Sequence, residues 1–397
     1  MSEINNIVNI KLIKEDILTL SCTKQHKLQE THQGIAIKNI LLTGSTGFLG
    51  QNILIDLLDC TDANIYCIVR SKNTQEAKKR LSNSLINAGY SHYENSNRII
   101  VLTGDLNLPN LGLKSDTVTM LINDIDAIYH CAAYVHHLYS YEHLRGDVLS
   151  THFLIQISTT TKLKHLHFIS TMNISDNSKD TVKPAENLQD ISFYDMGYIQ
   201  VKWACEKILY SYIDKGYPFY IYRPGNITGH SKTGYSVPYS NHALLLVKGF
   251  IQDLRAPKWQ DQLEMTPVDL VSKSIVTLSL NTDMSKFNTF NLHNSNTITW
   301  EEFVQKVSDI LKIKIEFVDK EYWRLNILPT IGRHNALSPF RTFYSLENAS
   351  FNLQPPQDKE TEKLLLQLGL NFFLKTDYNE LTKLYMLFLL KIKFIEL

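Results

Sequence analysis

The sequence predicts an α/β chain, a doubly wound parallel sheet with a smaller, mainly helical C-terminal lobe. Three observations carry this. Six short apolar runs, each ending at a turn or polar signal, recur between Ile37 and Gly225. Amphipathic helical patterns lie between most of them, and such alternation gives parallel strands covered by helices on both faces. Beyond about Gly229 the rhythm stops, and loops, one late strand and several helices follow.

The elements follow in order. Residues 1–34 are a helical lead-in, with one short helical pattern (IKLIKEDILTL) and a polar stretch ending at Gly34. Residues 35–230 hold the sheet. Its strands are IKNILLTG, NIYCIVR, RIIVLTGDL, AIYHCAA, HLHFIST and FYIYRPG. FLGQNILIDLLDC and TQEAKKRLSNSLINAG are helices between them. Residues 231–397 form the smaller lobe, with helices at WEEFVQKVSDILK and the C-terminal run. One late strand, FNTFNLHN, returns to the sheet near 288–294. No internal repeat or low-complexity tract interrupts this order.

Composition bounds the function. The 397 residues carry 40 Lys and Arg against 40 Asp and Glu, so nothing draws the chain generally to nucleic acid or anionic lipid. The first twenty residues mix acids and lysines where a signal peptide needs an uninterrupted apolar stretch. No window is long and apolar enough for a spanning helix. The tail LYMLFLLKIKFIEL is broken by Lys391 and Lys393 and reads as a final helix packed on the core rather than a membrane-surface helix. Cys22, Cys60, Cys67, Cys131 and Cys205 include no CxxC pair. They read as reduced thiols of a cytoplasmic protein, small hydrophobes rather than metal ligands.

The stretch Gly44–Gly50, GSTGFLG, follows the first strand and opens a helix. A helix N-terminus presents unpaired N–H groups and partial positive charge, and glycines let the backbone approach a pyrophosphate. The spacing is G-x-x-G-x-x-G. Glycines also serve bare turns, but the strand-to-helix position favours a dinucleotide site on a Rossmann-type sheet. Gly44, Ser45, Thr46, Gly47, Phe48, Leu49 and Gly50 are therefore cofactor candidates. Gly47, in the middle of the turn, is expected to tolerate a side chain least. Arg70 ends the second strand, where an arginine suits a 2′-phosphate, and Arg80 on the next helix adds a second contact. The expected cofactor is NADPH. Asp105 and Leu106 close the third strand, where they can flank the adenine. Ala132 and Ala133 close the fourth, small enough to let backbone approach the cofactor.

Thr171 closes the fifth strand, and Tyr198 and Lys202 follow in a helical context (GYIQVKWACEKILYSY). Four-residue spacing puts the phenol and the ammonium on one helix face. A nearby ammonium lowers a phenol's pKa and makes it a better proton donor, and a threonine hydroxyl can hold the substrate oxygen beside it. Y-x-x-x-K alone is common by chance; its order after the glycine turn and the hydroxyl-bearing strand end gives it weight.

With these motifs in view, the sequence resembles the extended short-chain dehydrogenase/reductases, and more narrowly the thioester reductases. These are the terminal reductase domains of nonribosomal peptide and polyketide synthases, carboxylic acid reductases and aminoadipate reductases. The matching pieces are LLTGSTGFLG, YCIVR with Arg80 downstream, GDLNLPNLGL, YEHLR (Tyr141–Arg145), FIST, Y-x-x-x-K, YRPGNITGHSKTG and TPVDLVSKSIV. NTITWEEFVQKV and EYWRLNI in the C-terminal lobe resemble the family's substrate lobe.

The resemblance implies catalysis by Thr171, Tyr198 and Lys202. It implies NADP contacts from the glycine turn, Arg70, Arg80, Asp105, Pro224, Gly225 and Ile227, with Tyr198 and Lys202 also at the cofactor. Two stretches depart from it. The family's N-V-x-G-T is here Asp147-Val148-Leu149-Ser150-Thr151, and its S-T-x-S-V is Ser170-Thr171-Met172-Asn173-Ile174. The implied activity is NADPH-dependent reduction of an acyl or peptidyl thioester to an aldehyde, or on to an alcohol. The acyl group would arrive on the phosphopantetheine arm of an acyl or peptidyl carrier protein, acting in trans because no carrier segment precedes residue 1. The rivals are a free-standing fatty acyl-CoA reductase and a catalytically idle NADP-binding regulator.

Overall fold

The structure is a computed structural model that describes residues 2–22, 37–135, 139–174, 196–281, 287–345, 359–370 and 377–397. Most of the polar stretch before Gly34 lies outside them. The chain forms two compact units. The first comprises Met1–Pro224, Val271–Leu292 and Pro356–Leu370; the second comprises Gly225–Leu270, His293–Pro355 and Asn371–Leu397.

The first unit begins with α1 (Ser2–Leu20) and then alternates. The order is β1 (Asn39–Thr43), α2 (Phe48–Cys60), β2 (Asn64–Val69), α3 (Thr74–Asn87), β3 (Ile99–Thr103), α4 (Ser115–Asp124) and β4 (Ala127–His130). Then come α5 (Tyr141–Thr159), β5 (His165–Ile169), α6 (Gly197–Ile213) and β6 (Phe219–Pro224). The second unit contributes β7 (Ile227–Thr228), α7 (His242–Asp253), β8 (Arg255–Pro257), β9 (Gln262–Leu263) and β10 (Thr266–Pro267). After α8 (Val268–Asn281), the strand β11 (Thr289–Leu292) pairs parallel with β6.

The seven-stranded sheet runs β11-β6-β5-β4-β1-β2-β3, every neighbouring pair parallel. This is the Rossmann-like α/β fold that the alternation predicts. The central strands are largely apolar because both faces are covered; Ile40, Leu41 and Leu42 of β1 have no exposed surface. The order reverses at β1, which lies between β2 and β4. In open α/β sheets ligands bind in the crevice beyond the strand ends at such a reversal. Here those ends are Thr43 and His130, which are in register.

Helices α1, α5 and α6 pack on one another, burying Ile13, Tyr141, Leu144, Val148, Trp203 and Ile208 in one core. Each fully buried large side chain contributes about 1.5–3 kcal/mol. A polar staple fixes the stack. Asp16 of α1, almost fully buried, accepts from Arg145 Nε at 2.8 Å, from the other arm of its guanidinium at 2.6 Å, and from Tyr141 Oη at 2.8 Å. The Y-x-x-L-R pattern thus ties α1 to α5.

The second unit adds β12 (Ile298–Thr299), α9 (Trp300–Leu311), β13 (Glu316–Val318) and the helix Tyr378–Lys391. Among the described residues its strands form two-stranded ladders. Thr299 and Glu302 cap α9 reciprocally, the Thr299 hydroxyl accepting the Glu302 N–H and the Glu302 carboxylate accepting the Thr299 N–H. Trp259 lies at the centre of its core, 6.1 Å from Trp300, 5.7 Å from Trp323 and 5.2 Å from Tyr344 by ring centroid. Leu381, Tyr385, Met386 and Leu389 of the last helix are buried in the same core. Among the described residues no helix is long and apolar enough to cross a membrane.

Candidate active site

The glycine turn lies at the reversal of strand order. Gly44 has φ +79°, and a Cβ there would meet the Ala132 backbone nitrogen at 2.7 Å. Gly50, in the first turn of α2, backs onto the turn itself: a Cβ would lie 2.0 Å from the Gly44 oxygen and 2.6 Å from its carbonyl carbon. Gly47 differs. It is exposed, caps α2 with φ −83°, and a Cβ would meet only the Gly44 oxygen, at 3.1 Å. The expectation that Gly47 tolerates a side chain least is therefore corrected within the folded chain. Gly50 and Gly44 are the sterically closed positions, because they pack against backbone. Ser45 and Leu49 are buried too, so the turn presents Thr46, Gly47 and Phe48 outward.

Behind the turn a chain of buried hydrogen bonds joins the strand ends. Thr43 Oγ1 bonds His130 Nδ1 at 2.7 Å and accepts the Ala132 N–H at 3.2 Å. His130 Nε2 bonds Thr151 Oγ1 on α5 at 3.1 Å, and the Cys205 thiol of α6 donates to the same hydroxyl at 3.5 Å. Burial, with the Lys202 charge adding, holds His130 down to about 3, so its ring is neutral. Sequence reasoning misses Thr43, His130 and Thr151. Their signal is the register of β1 with β4, which brings LLT and YH side by side.

Arg70 and Arg80 come together. Arg80, on α3, donates to the Arg70 carbonyl at 2.7 Å, and both side chains are exposed beyond β2. Asp105 Oδ1 accepts the Asn107 N–H at 3.0 Å, so that carboxylate shapes its own turn after β3, and Leu106 beside it is half-buried. Ala132 and Ala133 are half-buried beyond β4. Pro224 ends β6 in the first unit, while Gly225 and Ile227 belong to the second. There a Cβ on Gly225 would meet the Glu264 carboxylate at 2.5 Å.

Lys202 is 4% exposed, and its ammonium donates to the Ile169 carbonyl at 2.6 Å and lies 4.6 Å from the Phe168 ring centroid. The lysine thus reaches the end of β5, two residues before Thr171. Thr171 is buried, and the turn Met172–Ile174 packs on α6. Tyr198 stands one helical turn before Lys202. Burial lowers the Lys202 pKa. It raises that of Tyr198, with Asp147 and Cys131 adding to the rise. The lowering of Tyr198 expected from Lys202 is not what the fold produces, because desolvation governs the phenol. The departure at Asp147 has a clear consequence: its Oδ2 accepts the Tyr134 N–H at 2.8 Å. Among the described residues no group of three or more His, Cys, Asp or Glu is placed to hold a metal ion.

Comparison with known proteins accords with this geometry. A linear gramicidin synthase protein of Brevibacillus parabrevis is 34% identical over 288 residues, 71% of this chain and 6% of that protein. L-2-aminoadipate reductase of Saccharomyces cerevisiae is 32% identical over 268 residues, 63% of this chain and 19% of that protein. The chain thus spans a fifth or less of these relatives. The crystal structure of the terminal R domain from the myxalamid PKS-NRPS biosynthetic pathway superposes with a TM-score of 0.87 at 29% identity, covering 98% of this chain and 99% of that one. Residues 42–275 match the NAD-binding family described as male sterility protein. With more than half its length so matched, the chain belongs to that family of reductases, among the terminal reductase domains of the extended short-chain dehydrogenase/reductase superfamily.

Proposed function

We propose that the chain is an NADPH-dependent thioester reductase that releases an acyl or peptidyl group from a carrier protein as an aldehyde, with a second round giving an alcohol. The observation that carries the proposal is the buried Lys202 ammonium at the end of β5, two residues ahead of Thr171 and one helical turn after Tyr198. Hydroxyls backed by a desolvated cation suit a carbonyl oxygen that gains charge. Similarity to a terminal R domain supports the same reading.

The chain fits a dinucleotide. Gly47 is the one glycine of the turn that the fold leaves outward, at the N-terminus of α2, where a pyrophosphate is stabilised. Thr46 and Phe48 flank it, and Ala132 and Ala133 leave room beyond β4. Arg70 and Arg80 select the 2′-phosphate of NADPH through charge-assisted bonds. When bound, the nicotinamide supplies the hydride. Thr171 and Tyr198 donate hydrogen bonds to the thioester oxygen, and Tyr198 gives it a proton. Lys202 stabilises the negative charge left on the phenol and holds the cofactor ribose. The resulting hemithioacetal breaks its C–S bond, returning the thiol to the phosphopantetheine arm and leaving the aldehyde.

The rest of the molecule takes its role from this reaction. Residues 35–230 hold the cofactor, residues 231–397 set the acyl group, and residues 1–34 lead into the first part. The carrier acts in trans. All five cysteines are free thiols, which fits the reducing cytoplasm. The test is product analysis with NADPH and a panel of acyl groups on free carrier proteins and on coenzyme A. Aldehyde from the carrier-bound thioesters supports the proposal. Turnover of the coenzyme A esters alone favours a fatty acyl-CoA reductase. NADPH binding without reduction of any thioester overturns the enzymatic reading in favour of an NADP-binding regulator.

A further inference from the structure

We infer that Ser84 and Tyr90 are positioning residues for the dinucleotide, bracing the glycine turn from the side of α3 while Arg80 of the same helix holds Arg70. This rests on the cofactor reading above, with the pyrophosphate against Gly47.

Packing fixes α3 first. Ala77, Leu81 and Leu85 are buried, and the helix lies on β2 and β3. Polar side chains of α3 and of the turn after it then reach backbone carbonyls of the cofactor candidates. Arg80 donates to the Arg70 carbonyl at 2.7 Å. Four residues on, along the same helix face, Ser84 Oγ lies 3.2 Å from the Thr46 carbonyl oxygen and 2.7 Å from Gln51 Oε1, both within reach of its one proton. Tyr90, just past the helix, donates to Asn52 Oδ1 at 2.8 Å, and Asn52 Nδ2 donates to the Phe48 carbonyl at 2.8 Å. Gln51 and Asn52 are 1% and 2% exposed, so α2 buries two amides near its start and meets each with a hydroxyl from the α3 side.

These carbonyls matter because a peptide unit is planar: fixing the oxygen fixes the N–H across the same bond. The Thr46 carbonyl shares its peptide with the Gly47 N–H, which closes the turn on the Gly44 oxygen at 2.8 Å. The Phe48 carbonyl shares its peptide with the Leu49 N–H. That N–H lies in the first turn of α2, where such groups have no partner within the helix and an anion is stabilised. Tyr90 settles which end of the Asn52 amide faces Phe48. One helix therefore holds both the turn and Arg70, and so sets the pyrophosphate site against the 2′-phosphate site.

Ser84→Ala and Tyr90→Phe each remove one hydroxyl. The pyrophosphate is common to NADPH and NADH, so each variant should bind both cofactors about three- to tenfold more weakly. The ratio of the two affinities should stay at the parent's value, unlike the selective loss expected for Arg70→Ala. Ser84→Thr, which keeps the hydroxyl, should bind as the parent does. Titrations of both cofactors, with melts in their absence, read these outcomes. Variants that melt lower yet titrate as the parent would show packing contacts only and overturn the proposal. A loss confined to NADPH would overturn it too, assigning Ser84 and Tyr90 to the arginines rather than to the turn. If the parent itself binds neither cofactor, the dinucleotide reading fails, and the positioning role falls with it.

Discussion

Replacing the glycines of the turn one at a time separates what the fold needs from what a cofactor needs. In Gly50→Ala the new carbon would sit 2.0 Å from the Gly44 oxygen, against the 3.0 Å that real contacts of this kind respect. Both partners are backbone, so α2 or the turn must move by about 1 Å, and overpacking of this kind costs about 1–3 kcal/mol. For a large domain this lowers the melting temperature by about 2–12 °C, at roughly 2–4 °C per kcal/mol. Gly47→Val meets no such obstacle. Its φ of −83° suits any residue, and the loss is that of a favourable helix cap, about 1 kcal/mol. A branched side chain there would nonetheless occupy the mouth of the turn. A cofactor at a hundred times its Kd stabilises by about 2.7 kcal/mol, or about 5–11 °C on the same scale. Thermal melts of the parent and both variants, with and without NADPH, read both effects. Gly50→Ala should melt low without cofactor. Gly47→Val should melt near the parent without cofactor and show little or no rise with it. A full NADPH-induced rise in Gly47→Val would refute the pyrophosphate assignment. Parental melting of Gly50→Ala would refute the packing argument.

Three further outcomes are expected. Arg70→Ala should weaken NADPH binding while sparing NADH, by up to about 1.5–3 kcal/mol for a charge-assisted bond and less at an exposed site; equal losses in titrations of both cofactors would sink the 2′-phosphate assignment. Tyr198→Phe should nearly abolish thioester reduction with NADPH affinity intact, and Thr171→Ala should cost less; near-normal steady-state turnover in the phenylalanine variant would remove the proton-donor role. In the second unit burial pushes Glu264 up to about 8, against the Asn294 and Asn226 N–H bonds. The folded chain then holds a proton that the unfolded chain releases, so stability should fall as pH rises from about 4.5 to about 8. Glu264→Gln should flatten that slope in denaturant titrations, and an unchanged slope would show that Glu264 does not titrate there.

The sheet is legible in the sequence because its strands are buried on both faces and are written as apolar runs that need no partner to be recognised. FLGQNILIDLLDC coincides with α2, where a long apolar face meets a clear start at Gly47. Helix α5 is legible only as its Y-x-x-L-R motif. It is covered by α1 and α6, and its apolar residues lie around more than one side. The ranking of the glycines fails for a related reason. Spacing singles out the middle of a turn, but steric closure depends on which residue faces back onto it, and that residue is Gly50. The tuning of Tyr198 fails likewise: spacing gives the shared helix face with Lys202, but the desolvation that governs both groups comes from the packing around them. Asp147 is visible only as a departure, because its partner Tyr134 lies on another element.

The candidate site accordingly divides into two sets of residues. Gly47, Arg70, Arg80, Ala132 and Ala133 have exposed or half-buried surface, so on the proposed reading their residue types are explained by the cofactor that binds against them. Thr43, His130 and Thr151 form one buried, bonded set and Glu206 with Arg223 another, so their residue types are explained by the fold. Lys202 belongs to both, since its ammonium is anchored on β5 yet stands one turn from Tyr198. A catalytic group is held in place by neighbours whose own bonds are satisfied. The buried residues supply that support, Thr43, His130 and Thr151 joining the ends of β1 and β4 to α5, and Arg223 with Glu206 joining β6 to α6. Changes in the outward set should therefore alter binding or rate at nearly constant stability, while changes in the buried set should lower stability and rate together.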